Sequence, residues 1–157
     1  MRKVGTPFAI CLAVFVFVFC AAGASAQAPD PIVGTWKLNL AKSKYVTPAP
    51  KSMTVTFAPA PKGYAVTIEA IGPDGQPQKW GYTSSFDGSE SPVSGNPNID
   101  AVVARTRTGT VEYMKAGKVV TTTASVISDD GKTLTVTVRV PDGQGKEFTN
   151  IVVYDRQ

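Results

Sequence analysis

The chain has 157 residues, with 16 lysines and arginines, 12 aspartates and glutamates and no histidine, so its formal net charge is +4 at pH 7. The lack of histidine excludes catalysis by a serine–histidine or cysteine–histidine pair, and with it histidine-containing zinc sites. The basic residues do not cluster and the charge balance is weak, so we expect no nucleic-acid partner.

Residues 1–26 have the three parts of a cleavable export signal. Arg2 and Lys3 form a cationic start, an uncharged apolar stretch covers 8–22, and small residues at 24–26 suit cleavage. The apolar stretch is shorter than the roughly 20 residues that a membrane-spanning helix needs. We therefore expect secretion across the inner membrane to the periplasm or the extracellular space, without stable membrane insertion after cleavage.

The mature domain is expected to cover 27–157. Both cysteines, Cys11 and Cys20, lie in the export signal, so this domain has neither disulfides nor thiolate metal ligands. Cleavage leaves 14 basic and 12 acidic residues, a net charge of +2. The alternatives are an uncleaved N-terminal anchor and a lipid anchor on Cys20, although the bulky Phe19 before this cysteine disfavours the lipid anchor.

Alternating apolar and polar residues predict ten β-strands in the mature domain. Between the strands lie turn-forming pairs such as Asp87-Gly88, which favour tight hairpins between neighbouring strands. No window has helical periodicity with caps, so we expect little or no helix. The predicted strands cover 32–40, 51–58, 63–71, 77–86, 90–94, 99–107, 109–115, 118–128, 132–140 and 146–155.

Ten strands joined by short turns form a meander, and its apolar face must be buried. The two ways to bury it are closure into a barrel and folding into a sandwich. Closure also removes exposed strand edges, which invite aggregation. We predict an all-β fold with one antiparallel up-and-down barrel of about 8–10 strands, because the strands and turns follow one another regularly.

A shift of 68 positions aligns 63–87 with the last part of the chain without a gap, and both segments contain Pro-Asp-Gly-Gln. Under this shift Phe148 falls on Trp80 and Tyr154 falls on Phe86. One interpretation is that matching aromatic residues line opposite walls of a cavity. The other is that two hairpins share a turn type and use bulky residues to fill a core.

The first predicted strand contains Ile-Val-Gly-Thr-Trp-Lys-Leu-Asn over 32–39, and the last contains Asn-Ile-Val-Val-Tyr-Asp-Arg over 150–156. Around ten strands, these ends resemble the calycin superfamily, which comprises lipocalins and fatty-acid-binding-protein-like barrels. In those families the tryptophan of the Gly-x-Trp motif plugs the closed end of the barrel. The resemblance therefore implies a ligand-binding barrel in which Trp36 is the plug.

The chain also departs from the fatty-acid-binding proteins. Those proteins carry two helices between the first and second strands, whereas the interval 41–50 is short and has prolines at 48 and 50. They also hold a ligand carboxylate with an Arg-x-Tyr on the last strand, and here Val152 stands in place of that arginine. Only Tyr154 of the anchor remains, so the resemblance does not extend to binding a fatty acid by its head group.

Arg105 and Arg107 share one face of the predicted strand 99–107. If that face points inward, two guanidinium groups near the barrel mouth would suit an anionic ligand. If it points outward, they are solvated surface charges. The neighbouring face, with Val102 and Ala104, is equally apolar, so the alternation does not decide between the two.

We expect a non-catalytic, monomeric, lipocalin-like barrel that binds a small, largely apolar molecule without a cofactor or a metal. The alternative is a filled-core envelope or protein-interaction module that works through its surface. An enzyme is a third hypothesis, disfavoured because the carboxylates lie mainly at turn positions. The predicted cavity-lining residues are Trp80, Tyr82, Phe86, Tyr113, Phe148, Asn150 and Tyr154, with Arg105 and Arg107 as further candidates.

Overall fold

The computed structural model describes residues 30–106 and 109–157. The predicted export signal and Arg107 lie outside these residues. The described part contains ten strands and no helix. The strands are β1 (Gly34–Leu38), β2 (Ser52–Ala60), β3 (Gly63–Ile71), β4 (Pro77–Ser84), β5 (Glu90–Ser94), β6 (Ala101–Ala104), β7 (Thr110–Lys115), β8 (Lys118–Ile127), β9 (Thr133–Pro141) and β10 (Glu147–Arg156).

Each strand pairs antiparallel with its neighbours in the chain, and β1 also pairs with β10. The sheet is therefore a closed ten-strand up-and-down barrel, which confirms the predicted barrel over the sandwich. In the closing pair, Trp36 lies opposite Arg156 and Leu38 lies opposite Tyr154. A closed antiparallel barrel is the architecture that the resemblance implied, and closure leaves neither terminal strand with an unpaired edge along the paired residues.

Local backbone chemistry fixes the tight turns between strands. The β7–β8 hairpin turns at Ala116 and Gly117, which have φ angles of 49° and 73° between the paired residues Lys115 and Lys118. Two successive positive φ angles match the right-handed twist of the flanking strands. At the start of β3, a Cβ on Gly63 would lie 2.0 Å from the Ser84 carbonyl oxygen, so glycine allows β3 and the end of β4 to approach closely.

Trp36 is fully buried on the side of the barrel where residues 31–33, the entry segment, and the β8–β9 turn meet. Its side chain is 0% exposed, and the indole N–H donates to the carbonyl oxygen of Ile32 at 2.8 Å. The Arg156 guanidinium lies over the ring, with its central carbon 4.3 Å from the ring centroid. This guanidinium also donates to the carbonyl oxygens of Gly131 at 2.7 Å, Val33 at 2.8 Å and Pro31. The charged Arg156 side chain thus connects the entry segment and the β8–β9 turn to the Trp36 indole.

The inward side chains pack in two connected groups. Tyr64, Val66 and Ile68 of β3 pack with Ile32 in one group, while Trp36 packs with residues of β9 and β10 in the other. Side chains of β2 contact both groups. Each fully buried apolar side chain contributes about 1.5–3 kcal/mol relative to an exposed one, so this core is the main source of stability.

Replacement of Arg156 by methionine should lower the free energy of unfolding by about 2–3 kcal/mol, since the barrel end loses a stacked cation and its bonds to backbone carbonyls. Urea unfolding followed by far-UV circular dichroism measures this change. Arg139→Met is the matched control, because Arg139 is exposed on β9. Equal losses of stability in the two variants would contradict a closing role for Arg156.

Candidate functional site

The interior of the barrel contains a cavity of about 260 Å³. It extends from Ile32 and Phe86, near the β8–β9 turn, to Pro50 and Trp80, toward the opposite end. Its volume is slightly below the roughly 300–1,000 Å³ typical of ligand pockets. Most of its wall is aliphatic, supplied by inward residues such as Val55, Val66, Ile68, Val111, Leu134, Val136, Val138 and Val152.

Three aromatic rings form one wall of the cavity. Trp80 and Tyr82 come from β4, and Tyr113 comes from β7. Tyr113 meets both edge to face, with ring centroids 5.9 Å from Trp80 and 6.1 Å from Tyr82. Edge-to-face contacts of this kind add about 0.5–1.5 kcal/mol to the burial of the rings. The wall is therefore a rigid apolar surface on which a flat molecule can pack.

The same wall carries a short chain of hydroxyl groups. The hydroxyl oxygens of Tyr82 and Tyr113 are 3.3 Å apart, and Tyr113 also hydrogen-bonds the buried Thr123. Burial raises the pKa of Tyr82 well above its usual value, and the neighbouring Tyr113 adds to this shift. Burial also raises the pKa of Tyr113, although its hydrogen bonds to Tyr82 and Thr123 oppose the shift. These groups are neutral hydrogen-bonding partners at pH 7.

On the side of β10, Tyr154 reaches across β1 to β2. Its hydroxyl donates to the Met53 sulfur at 3.0 Å, and both residues line the cavity. Burial raises the pKa of Tyr154 far above its ordinary value. This side of the cavity therefore also carries a neutral hydroxyl group.

The connection between β1 and β2 covers 39–51 and has no helix, and its residues 43–47, the strap, lie along β10. Lys44 and Ile151 exchange backbone hydrogen bonds of 2.7 and 2.9 Å. Asn150, which is buried, accepts from the Val46 amide at 2.8 Å and donates to the Thr47 hydroxyl at 3.0 Å. The strap thus continues the β1 side of the barrel and places Tyr45 in the cavity wall.

Six of the predicted lining residues meet at this cavity. They are Trp80, Tyr82, Phe86, Tyr113, Asn150 and Tyr154. Phe86 has a φ of 57° and packs edge to face on Tyr64, with centroids 5.2 Å apart. Both polar atoms of the Asn150 side chain hydrogen-bond residues of the strap. The role of this side chain is therefore to hold the strap against β10.

Phe148 lies outside the cavity lining and is 46% exposed. The cause is hairpin register. In the β3–β4 hairpin the backbone amide of Gly72 donates to the Gln76 carbonyl, and in the β9–β10 hairpin the backbone amide of Asp142 donates to the Lys146 carbonyl. Equivalent residues of the two hairpins are therefore 70 positions apart, and not the 68 that the sequence alignment gives. The structural counterpart of Trp80 is therefore Asn150, and Phe148 corresponds to Gln78 near a strand end.

Arg105 is also outside the cavity. Val102 pairs directly with Tyr113, and directly paired residues point to the same side of a sheet, so Val102 is inward and the alternate face of β6 is outward. Arg105 is exposed just after β6, with a guanidinium nitrogen 4.0 Å from a Glu112 carboxylate oxygen. The outward alternative thus holds for Arg105, and Arg107 lies outside the described residues.

Most of the aliphatic wall and several other lining residues were not identified from the sequence as site residues; Tyr45, Met53 and Thr123 are examples. Met53 and Thr123 belong to alternating strands, and the inward face of each strand could have indicated them. Tyr45 lies in an irregular, proline-containing segment without periodicity, and only its tertiary contact with β10 places it at the cavity.

The described lining residues include no lysine, arginine, aspartate or glutamate. Within 30–106 and 109–157, no group of acidic residues is arranged to hold a metal ion. In the same ranges there is no helix with the length and apolarity required to cross a membrane.

No protein-family model matches the chain, and no curated protein matches it either. Among solved structures, it is similar to the protein described as "The Siderocalin Ex-FABP functions through dual ligand specificities". The two are 12% identical with a TM-score of 0.49, over 82% of this chain and 71% of the other. The fold assignment rests on the strand order and register of the chain itself.

Substitution of Asn150 by alanine should lower the free energy of unfolding by about 1–2 kcal/mol, because it removes two buried hydrogen bonds to the strap. It should also accelerate hydrogen exchange at the Val46 amide, read by NMR. Thr149→Ala, at the exposed neighbouring position, is the control. Unchanged exchange at Val46 in the Asn150 variant would show that this side chain does not hold the strap.

The cavity tyrosines should make the protein unstable in alkali. Burial raises the pKa of Tyr45, Tyr82, Tyr113 and Tyr154, whereas the unfolded chain ionises near pH 10. Their contribution to stability is complete below pH 10 and is lost as the pH rises further, since the unfolded state releases its protons first. Most of the tyrosinate absorbance at 295 nm should appear only together with loss of the β-sheet circular dichroism. Full ionisation near pH 10 with the sheet intact would contradict this.

Proposed function

We propose that this protein is a secreted, non-catalytic, lipocalin-like barrel that binds one small, largely apolar molecule in its interior. The observation that carries this proposal is the cavity of about 260 Å³ at the centre of the closed barrel. A well-packed domain has few interior voids larger than a water molecule. A cavity of this size, lined by aliphatic and aromatic side chains with a few hydroxyl groups, has the composition typical of a ligand site.

The size of the cavity favours a compact ligand. It is at or below the lower end of the range for drug-sized molecules, and a long acyl chain would need more space. The absence of charged side chains among the described lining residues further supports an apolar ligand.

A filled-core interaction module is less well supported. Such a barrel should have a tightly packed interior and a sizeable exposed apolar patch near one end. The cavity of about 260 Å³ is inconsistent with such a packed interior. The exposed large apolar side chains lie in the turn after β1, in the strap, on β8 and on β10. These residues are Leu40, Val46, Val119, Val126 and Phe148.

The proposed location is the periplasm or the extracellular space, reached through the export signal at 1–26. The proposed working form is a monomer, because closure of the barrel satisfies the strand edges within one chain. The chemistry of the lining supports binding in place of catalysis: it offers neutral hydroxyl groups and one amide, with no described acid–base pair.

Native mass spectrometry of the exported protein, purified from its own host, tests this proposal. We expect a bound molecule of low mass that is released by denaturation. Naphthalene should also bind at one site and quench the fluorescence of Trp80, which lines the cavity. A barrel that is always empty and does not bind naphthalene would contradict a carrier role.

A substitution that fills the cavity should abolish this binding. Val138→Phe places a ring in the cavity and should weaken naphthalene binding at least about tenfold, because the ring fills space that the ligand would occupy. Thr137→Phe is the matched control on the same strand, since Thr137 does not line the cavity. Equal binding by both variants would place the ligand elsewhere on the protein.

A further inference from the structure

We propose that the cavity selects neutral molecules with a carbonyl-type oxygen, which accepts a hydrogen bond from Tyr154 while the apolar body of the ligand packs on the opposite aromatic wall. This inference rests on the proposed binding function and specifies its ligand class. The class comprises compact ketones, aldehydes, esters and lactones with an aromatic or alicyclic body.

The hydrogen bond of Tyr154 is the first observation. Its hydroxyl is buried and donates to the Met53 thioether, 3.0 Å away. A thioether sulfur is a weak acceptor, so this buried O–H group has exchanged water for a poor partner. A carbonyl oxygen in the cavity would be a stronger acceptor, and the flexible Met53 side chain can yield its place at low cost. Both residues face the cavity, so a bound molecule can reach this hydroxyl.

The opposite wall supplies the second element of recognition. Trp80, Tyr82 and Tyr113 hold one another by ring contacts, and the hydroxyl groups of Tyr82 and Tyr113 bond each other at 3.3 Å. Since these polar groups are already paired, the wall offers mainly ring surface. A ligand would therefore pack its apolar body here and direct its oxygen toward Tyr154.

Charge discrimination follows from the same lining. A carboxylate in the cavity would lose its water, and the described lining residues supply no cation to compensate. The Arg156 guanidinium is engaged by Trp36 and by backbone carbonyl oxygens. The neutral form of a ligand should therefore bind better than its anion.

Three probes of similar shape separate these contributions: 2-acetylnaphthalene, 2-ethylnaphthalene and 2-naphthoate. By equilibrium dialysis at pH 7, we expect the ketone to bind about fivefold more tightly than the hydrocarbon, the advantage of one neutral hydrogen bond. The carboxylate should bind at least about tenfold more weakly than the ketone.

Three variants assign the preference to one hydroxyl. Tyr154→Phe should remove the ketone advantage, so that the ketone and the hydrocarbon bind within about twofold of each other. Tyr64→Phe, which removes a hydroxyl outside the cavity lining, should retain the advantage. Met53→Leu removes the sulfur that accepts the Tyr154 hydrogen bond, so the hydroxyl has no competing acceptor there, and the ketone advantage should be retained or increased. This variant tests the assignment even if Tyr154→Phe is poorly folded.

The outcomes distinguish the inference from the function on which it rests. Equal binding of ketone and hydrocarbon by the native protein would overturn the inference and leave the apolar carrier intact. Tight binding of 2-naphthoate would also overturn it. Binding of none of the three probes would overturn both the inference and the proposed function.

Discussion

The pairing of β1 with β10 is the contact on which the cavity depends, because it converts a ten-strand meander into a closed wall. Trp36 and Arg156 lie opposite each other in this pair, and the guanidinium covers the indole while bonding to backbone carbonyl oxygens. Arg156 thus links the entry segment, the β8–β9 turn and the Trp36 indole. Beyond the short β1 strand, the strap continues the seam, since Asn150 and the Lys44–Ile151 backbone bonds hold it against β10. Loss of either part would open the cavity wall at the same place.

The strands could be predicted from the sequence because each has one buried face. Alternation located all ten, and the turn residues located the hairpins between them. Hairpin register was harder to predict. The Pro-Asp-Gly-Gln sequences at 73–76 and 141–144 make the same local hydrogen bond, which the backbone N–H of the glutamine donates to the side-chain carboxylate of the aspartate. The strands nevertheless pair two positions apart, because the closing backbone bonds begin at Gly72 and at Asp142. Similar local turn chemistry therefore did not determine which side chains were equivalent, and Phe148 was misplaced for this reason.

The residues of the candidate site also divide into those that the sequence pattern could predict and those that depend on tertiary contacts. Aromatic residues on regular strands, such as Trp80 and Tyr113, could be assigned to the interior by their alternation. The face of β6 could not, because both of its faces are apolar, and only the pairing of Val102 with Tyr113 shows that Arg105 points outward. Tyr45 could not be predicted at all, since its position depends on the contact of an irregular segment with β10. The resulting site has hydroxyl groups on two sides and an aliphatic surface between them, and its described lining has no charge. This composition favours recognition by shape and by single hydrogen bonds.

The central claim is that the closed barrel binds an apolar molecule inside and not on its surface. Methyl-resolved NMR of the protein titrated with naphthalene tests it most directly. The account predicts saturable shifts at Ile68, Val136 and Val152, whose side chains line the cavity, with little change at the exposed Val119 and Val126. Shifts confined to the exposed methyl groups, or no saturable shift at any methyl group, would contradict the account.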